Sequence, residues 1–334
     1  MTIDLTLILA GIIAFGIIMY VLLDGFDLGV GILFPLAPNE TGRDVMINSI
    51  APFWDGNETW LVMGGAMLFA AFPTAYAVAL PAFYLPIMLM LFALIFRGVA
   101  FEFHAKAVAS KSIWSTAFFA GSALAAFAQG LLLGGLIEGV TVAERAFAGG
   151  AFDWLTPFSI VCGLGVVAGY ALLGATWLVL KTEGGLQAWA RRYGQWLTVA
   201  VLGFMGAVSL YTPFVDAAIA ERWFGGLNLL YLSPVPLVTA AAGFALWHGL
   251  RRDWEIAPFL LAVALFLLGY LGLAISLWPN IVPPSLSIWD AAAPRSSQVF
   301  VLIAVGVTLP MVLFYTWYAY RVFRGKASAT GGYG

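Results

Sequence analysis

Residues 20–35 read YVLLDGFDLGVGILFP, an apolar run fit for a membrane helix that nevertheless carries Asp24 and Asp27. A second run, residues 49–62, reads SIAPFWDGNETWLV and adds Asp55 and Glu58. An aspartate at the middle of a membrane helix costs roughly 2.5–3.5 kcal/mol on insertion scales, so such a residue is seldom decoration. Several acids gathered at one end of a helix bundle point to a route for protons or cations.

Outside these runs the composition settles the class. The chain has 334 residues, of which 62% are hydrophobic and 10% charged. A soluble domain has roughly 25% charged residues, so this is an all-α polytopic membrane protein. The net charge is −2 and the basic residues form no long run, which argues against a nucleic-acid partner. The single cysteine, Cys162, excludes an intrachain disulfide and a cysteine-based metal cluster, and reads as a small buried hydrophobe. The opening MTIDLTLILAG lacks a basic region and a small-residue cleavage site, so it reads as the start of a membrane helix.

Apolar stretches of about 20 residues, the length a bilayer requires, are predicted nine times. They lie at 7–34, 51–72, 79–103, 115–136, 157–181, 195–215, 232–251, 257–278 and 298–323. The second carries Asp55, Asn57 and Glu58 in its first turns and is the weakest of the set. Residues 1–324 are expected to form a single transmembrane domain, with 325–334 a disordered cytoplasmic tail. With the N-terminus outside, eleven Lys and Arg fall on the cytoplasmic side and three (Arg145, Arg222 and Arg295) on the other. That asymmetry supports nine spans with the C-terminus inside, because cytoplasmic loops are enriched in Lys and Arg.

In this topology Asp24, Asp27, Asp55, Glu58, Arg97 and Glu102 converge on the inner half of the first three spans. Arg97 and Glu102 close the third span and are expected to belong to a structural ion-pair network. One internal arginine cannot neutralise five acids, and an unpaired carboxylate in low dielectric favours its protonated form, as a proton relay needs. A sodium site using Asn57 stays open as an alternative. Gly25 and Gly29 have GxxxG spacing for close helix contact, extended by Gly31. His104 and His248 both sit at span ends, so no axial pair for a buried haem is present at depth. The segment 278–298, WPNIVPPSLSIWDAAAPRSSQ, reads as a rigid external loop in which Asp290 caps a short helix or pairs with Arg295.

Four blocks carry a resemblance: LLDGFDLGVGILFP, INSIAPFWDGNETWLV, FRGVAFEF and PPSLSIWDAAAP. Together, and in this order, they resemble subunit II of cytochrome bd-type quinol oxidases, the last block being closer to the cyanide-insensitive branch. The resemblance implies a heterodimer in which this chain is built as two four-helix bundles plus one peripheral helix. Subunit I is then the partner that carries the haems, b and d or b alone, and the quinol-oxidising loop. This chain would be the haem-free subunit, binding no metal or haem itself, with a structural quinone or lipid in the equivalent space. A small single-helix accessory subunit is a further expected partner. The complex would sit in the bacterial inner membrane, oxidise quinol, reduce oxygen to water and build a proton gradient.

Residue by residue, the resemblance gives Asp55 the family acid that begins a proton route, with Asp24 and Asp27 beside it. Trp60 matches a tryptophan at the entrance of an oxygen channel. Two positions depart from relatives: Glu58 stands where some have an amide, and His104 replaces a basic residue, often arginine, after FEF. Two rival readings of the residues stay open. One is a proton- or sodium-coupled secondary transporter, which also needs buried acids. The other is an assembly scaffold in which every acid is paired.

Overall fold

The computed structural model describes residues 4–106 and 110–328. The first helix, α1 (Leu5–Leu33), runs 29 residues, about 44 Å at 1.5 Å per residue. Asp4 caps it by accepting from the Leu7 N–H, and the Trp289 indole also donates to Asp4 at 2.9 Å. Those donors, Trp289 first, hold the Asp4 carboxyl below its usual range and tie the start of α1 to the 278–298 loop.

A short amphipathic helix, α2 (Glu40–Ile50), then leads to α3 (Trp54–Ala71), α4 (Pro73–Ala82) and α5 (Tyr84–Lys106). Long helices α6 (Lys111–Glu138), α7 (Pro157–Lys181) and α8 (Gly184–Val215) follow. Two short helices, α9 (Ala217–Phe224) and α10 (Asn228–Leu232), precede α11 (Pro234–Arg251) and α12 (Ala257–Leu277). The chain ends with α13 (Ile288–Ala291) and α14 (Arg295–Val322). Two small antiparallel hairpins, 142–147 and 280–287, stiffen the two longest connections.

Among the described residues, eight helical stretches are long and apolar enough to cross a membrane. Of the nine predicted, the segment 51–72 is the one outside that set. It forms α3, only 18 residues long, in which Asp55, Asn57 and Glu58 offset the apolar second half. Helix α3 packs along α1 and buries Trp60, Met67 and Ala71. The predicted loop 181–195 is shorter than expected. Helix α8 begins at Gly184 because Arg191 turns inward, donating to the backbone oxygens of Asp253 and Trp254 at 3.1 and 2.7 Å. In the 278–298 loop it is Ser287, not Asp290, that caps α13, and the Ser287 hydroxyl donates to the Asp290 carboxylate.

The start of the predicted disordered tail is held. Lys181 Nζ donates to the carbonyls of Phe323 and Gly325 at 2.5 and 2.7 Å, and Ala327 N–H returns a bond to Lys181 O at 2.7 Å. A cation on the last carbonyls of a helix is favoured by their unpaired oxygens and by the helix dipole. Residues 329–334, the rest of that tail, lie outside the described residues.

Helix α1 sits at the centre, against α3, α6, α7, α12 and α14. The absence of side chains at a few glycines lets it do so. A Cβ on Gly29 would lie 1.8 Å from the carbonyl oxygen of Tyr170, and one on Gly174 would lie 2.3 Å from the backbone of Gly29. The backbones of α1 and α7 therefore touch where the GxxxG of α1 faces a glycine of α7, as the spacing predicts. Just beyond that contact, Phe26 stacks on Trp177 at 4.1 Å, and Phe53, Phe259 and Tyr320 close round them.

Gly29→Ala should push α1 off α7 and cost about 1–3 kcal/mol, the usual range for an overpacked contact. Gly11→Ala, with nothing within 4 Å of the added methyl, is the control. Thermal unfolding in detergent should place Gly29→Ala well below both the parent and Gly11→Ala. Equal midpoints for all three would refute backbone contact at Gly29.

Candidate functional site

Tyr20, Asp24 and Asp27 fall at positions i, i+4 and i+7 of α1, so they share one face. Facing them are the first two turns of α3, which bring Asp55, Asn57 and Glu58, and α5, which brings Arg97. Gly121 of α6 lets α5 come close, since a Cβ there would lie 2.9 Å from the Arg97 backbone nitrogen.

Arg97 Nη1 donates to Asp24 Oδ1 at 2.8 Å and to Glu58 Oε1 at 3.0 Å. The side chains of Arg97 and Asp24 are 1% and 0% exposed, whereas that of Glu58 is 28% exposed. The guanidinium lies 6.0 Å from the Trp54 ring, a cation–π contact on its remaining side. Among the described residues no cation is bonded to Asp27. The Asn57 amide donates to Asp27 Oδ2 at 2.7 Å and to Leu23 O at 3.2 Å, and the Tyr320 hydroxyl donates to Asn57 Oδ1 at 3.2 Å.

One oxygen each of Asp24 and Asp27, and Arg97 Nη2, are buried with no hydrogen-bond partner. Asp24, Asp27 and Glu58 against Arg97 would carry a net −2 if every group were ionised. Burying uncompensated charge is costly, and a proton bound within the cluster lowers that cost. The open oxygens leave room for such a proton, or for water.

A second polar chain meets the first. Tyr170 of α7 donates to Gln129 Oε1 of α6 at 2.6 Å, and Gln129 Nε2 donates to the Tyr20 hydroxyl oxygen at 2.8 Å. These two bonds fix the direction of donation, so the Tyr20 proton is left for another acceptor. Asp24, one helical turn along the same face, is the acid within its electrostatic reach. Neither Gln129 nor the tyrosines stand out by motif. Gln129 alone gave a signal, as a polar residue inside the apolar run LAAFAQGLLLGG.

Of the residues singled out in the sequence, Asp24, Asp27, Glu58 and Arg97 come together, with Asp55 at their edge. Asp55 is exposed, one turn before Glu58 at the start of α3. Arg97 pairs with Asp24 and Glu58 rather than with Glu102. Five residues separate Arg97 from Glu102 on α5, which turns Glu102 well away from α1 to an exposed position. Trp60 is fully buried in this chain, edge-on to Phe15 at 5.8 Å, and its indole N–H has no partner. His104 is buried against Phe34, and His248 lies between Phe244 and Trp254. Among the described residues no three His, Cys, Asp or Glu side chains are grouped to hold a metal ion.

Comparison with known proteins places this geometry. The model of the family described as cytochrome bd terminal oxidase subunit II matches residues 5–323. The Bacillus subtilis cytochrome bd ubiquinol oxidase subunit 2 is 32% identical, over 97% of this chain and 96% of its own length. The Escherichia coli K12 cytochrome bd-I ubiquinol oxidase subunit 2 is 30% identical, over 96% and 93%. A Haemophilus influenzae protein described as a probable cytochrome oxidase subunit 2 is 31% identical, over 92% and 90%. In fold, the chain is similar to one in the structure of a bd oxidase from Geobacillus thermodenitrificans. The TM-score is 0.78 at 15% identity, covering 96% of this chain and 99% of that one. A match along nearly the whole chain makes this protein a member of the cytochrome bd oxidase subunit II family.

Proposed function

We propose that this chain is the haem-free half of a quinol:oxygen oxidoreductase in a bacterial inner membrane, and that it gives protons access to the haem-bearing subunit I. The observation that carries the reading is the gradient of exposure across the cluster. Asp55 is exposed, Glu58 is 28% exposed, and Asp24 is fully buried, with Arg97 joining the last two. Water can reach the first acid, and each step inward meets another polar group. Protons taken from the cytoplasm for the reduction of oxygen would enter at Asp55 and pass by Glu58 toward the buried pair. Asp27, held by a neutral amide, is the second internal acceptor.

In this reading α3, the predicted segment 51–72, is the ninth crossing, giving two four-helix bundles and one peripheral helix with the N-terminus outside. The haems, b and d or b alone, lie in subunit I. Trp60 belongs to the approach of oxygen. Its complete burial makes it a wall of that approach, passed by side-chain motion, not an open mouth. A structural quinone or lipid and a single-helix accessory subunit complete the expected assembly.

Asp55→Asn keeps the side-chain shape and removes the exchangeable proton. Oxygen consumption by the purified complex should fall by roughly tenfold, equivalent to about 1.4 kcal/mol on the barrier, with unchanged haem absorption. Full turnover with an undiminished proton gradient would overturn proton entry at Asp55.

Arg97→Gln leaves Asp24 buried without its cation, a loss of about 3–5 kcal/mol for such a pair, and should prevent assembly. Asp24→Asn combined with Arg97→Gln removes both charges and should recover assembled protein. Failure of the double variant to assemble better than the single one would mean that the pair is not the source of the loss.

Topology is open to direct measurement. In a Cys162→Ala background, Glu183→Cys should react with an impermeant thiol reagent only from the cytoplasmic side, and Gly150→Cys only from the outside. Labelling of Glu183→Cys in intact cells would reverse the orientation.

A further inference from the structure

The C-terminal end of α1 and the start of α6 border a cavity of about 1000 Å³, separate from the charge cluster. One side is apolar, formed by Ile32, Phe34, Leu36 and Phe119. The other is a charged rim of Glu40, Arg43 and Lys111, with Ser112 beside them. Both helices end here, so the rim lies at headgroup level while the apolar wall runs toward the hydrocarbon. That is the arrangement in which pockets between membrane helices recognise lipid headgroups.

The rim is balanced in charge. Arg43 pairs with Glu40, and Lys111 Nζ lies 3.0 Å from Asp44 Oδ1 and 3.7 Å from Glu40 Oε2. Its donors are nonetheless not all used. Arg43 Nε is buried without a hydrogen-bond partner, and an ammonium such as that of Lys111 has three protons to give. His104 Nε2, behind Phe34 at 5.4 Å between ring centroids, is likewise buried and unpartnered. His104 does not line the cavity, but Arg43 does, and since buried polar groups are rarely left unpaired in a folded protein its free Nε points to a missing acceptor.

We propose that this cavity binds a phosphatidylethanolamine molecule. Its phosphate accepts from Arg43 Nε and Lys111 Nζ, its ammonium donates to the Glu40 carboxylate, and an acyl chain follows Ile32, Leu36 and Phe119. The chemistry of the rim selects this headgroup. Two cations set against two carboxylates exert no net pull on a purely anionic headgroup. A choline has no N–H for Glu40 to accept. Free phosphate would satisfy the cations and leave the apolar wall bare.

Native mass spectrometry of the intact two-subunit complex tests this. After delipidation, the complex is offered dioleoyl phosphatidylethanolamine, phosphatidylcholine, phosphatidylglycerol or inorganic phosphate. One phosphatidylethanolamine should be retained in preference to the other lipids by about tenfold, as expected for one charge-assisted hydrogen bond. Two variants should lose that preference with unchanged haem absorption: Arg43→Gln with Lys111→Gln, which removes the cations, and Ser115→Phe, which fills the cavity and leaves the rim. If the charge variant fails to assemble, Ser115→Phe alone decides. Equal retention of phosphatidylcholine or phosphatidylglycerol, displacement of the lipid by inorganic phosphate, or unchanged retention in Ser115→Phe would each overturn the proposal.

Discussion

The ion pair between Arg97 and Asp24 is the constraint around which this end of the bundle is arranged. Both groups are almost wholly enclosed, at 1% and 0% exposure. Such a pair does not stabilise a fold by itself, because the loss of hydration roughly cancels the attraction. What it does is penalise every arrangement that separates the two groups. Helix α5 can slide or rotate against α1 only by leaving a bare charge in the interior. Glu58 adds the same demand on α3, so three helices share one register. The glycine contacts do the complementary work, since Gly29, Gly174 and Gly121 let the backbones approach until short polar side chains can meet.

The second consequence is asymmetry of environment. Glu58 touches the same guanidinium as Asp24 but remains within reach of water. Asp27 has an amide for a partner and Asp24 a cation, so two acids three residues apart on one helix face different partners. Beyond Asp24, the donors run from Tyr170 through Gln129 to Tyr20, one helical turn away on the same face of α1. Asp24 is thus fully enclosed beside Arg97, whereas Glu58 on the same guanidinium keeps partial access to water.

Much of this was legible in the sequence because it rests on local chemistry. Apolar length located the helices, Gly25 and Gly29 marked a close contact, and acids in an apolar run marked the site. The part that stayed hidden depends on how helices rotate about their own axes. Apolar length puts Arg97 and Glu102 at the same end of a span, but the i, i+5 spacing turns them to different sides of α5, and packing against Gly121 decides that Arg97 is the one facing the acids. The Tyr20–Gln129–Tyr170 chain joins three helices, and no single stretch announces it. The start of α8 was hidden because its two arginines resemble a loop, whereas Arg191 is spent on the backbone of the next connection. Likewise the polar composition after Val322 gave no hint that Lys181 would hold the tail by its carbonyls.

An exchangeable proton inside the cluster has a direct signature in redox-induced infrared difference spectra of the intact complex. Reduction should change a carbonyl-stretch band of a protonated carboxyl group, the band should shift in deuterated water, and Glu58→Gln should remove it while the haem bands persist. A difference spectrum with no carboxyl band, or with one that Glu58→Gln leaves untouched, would contradict proton exchange at the Arg97 cluster.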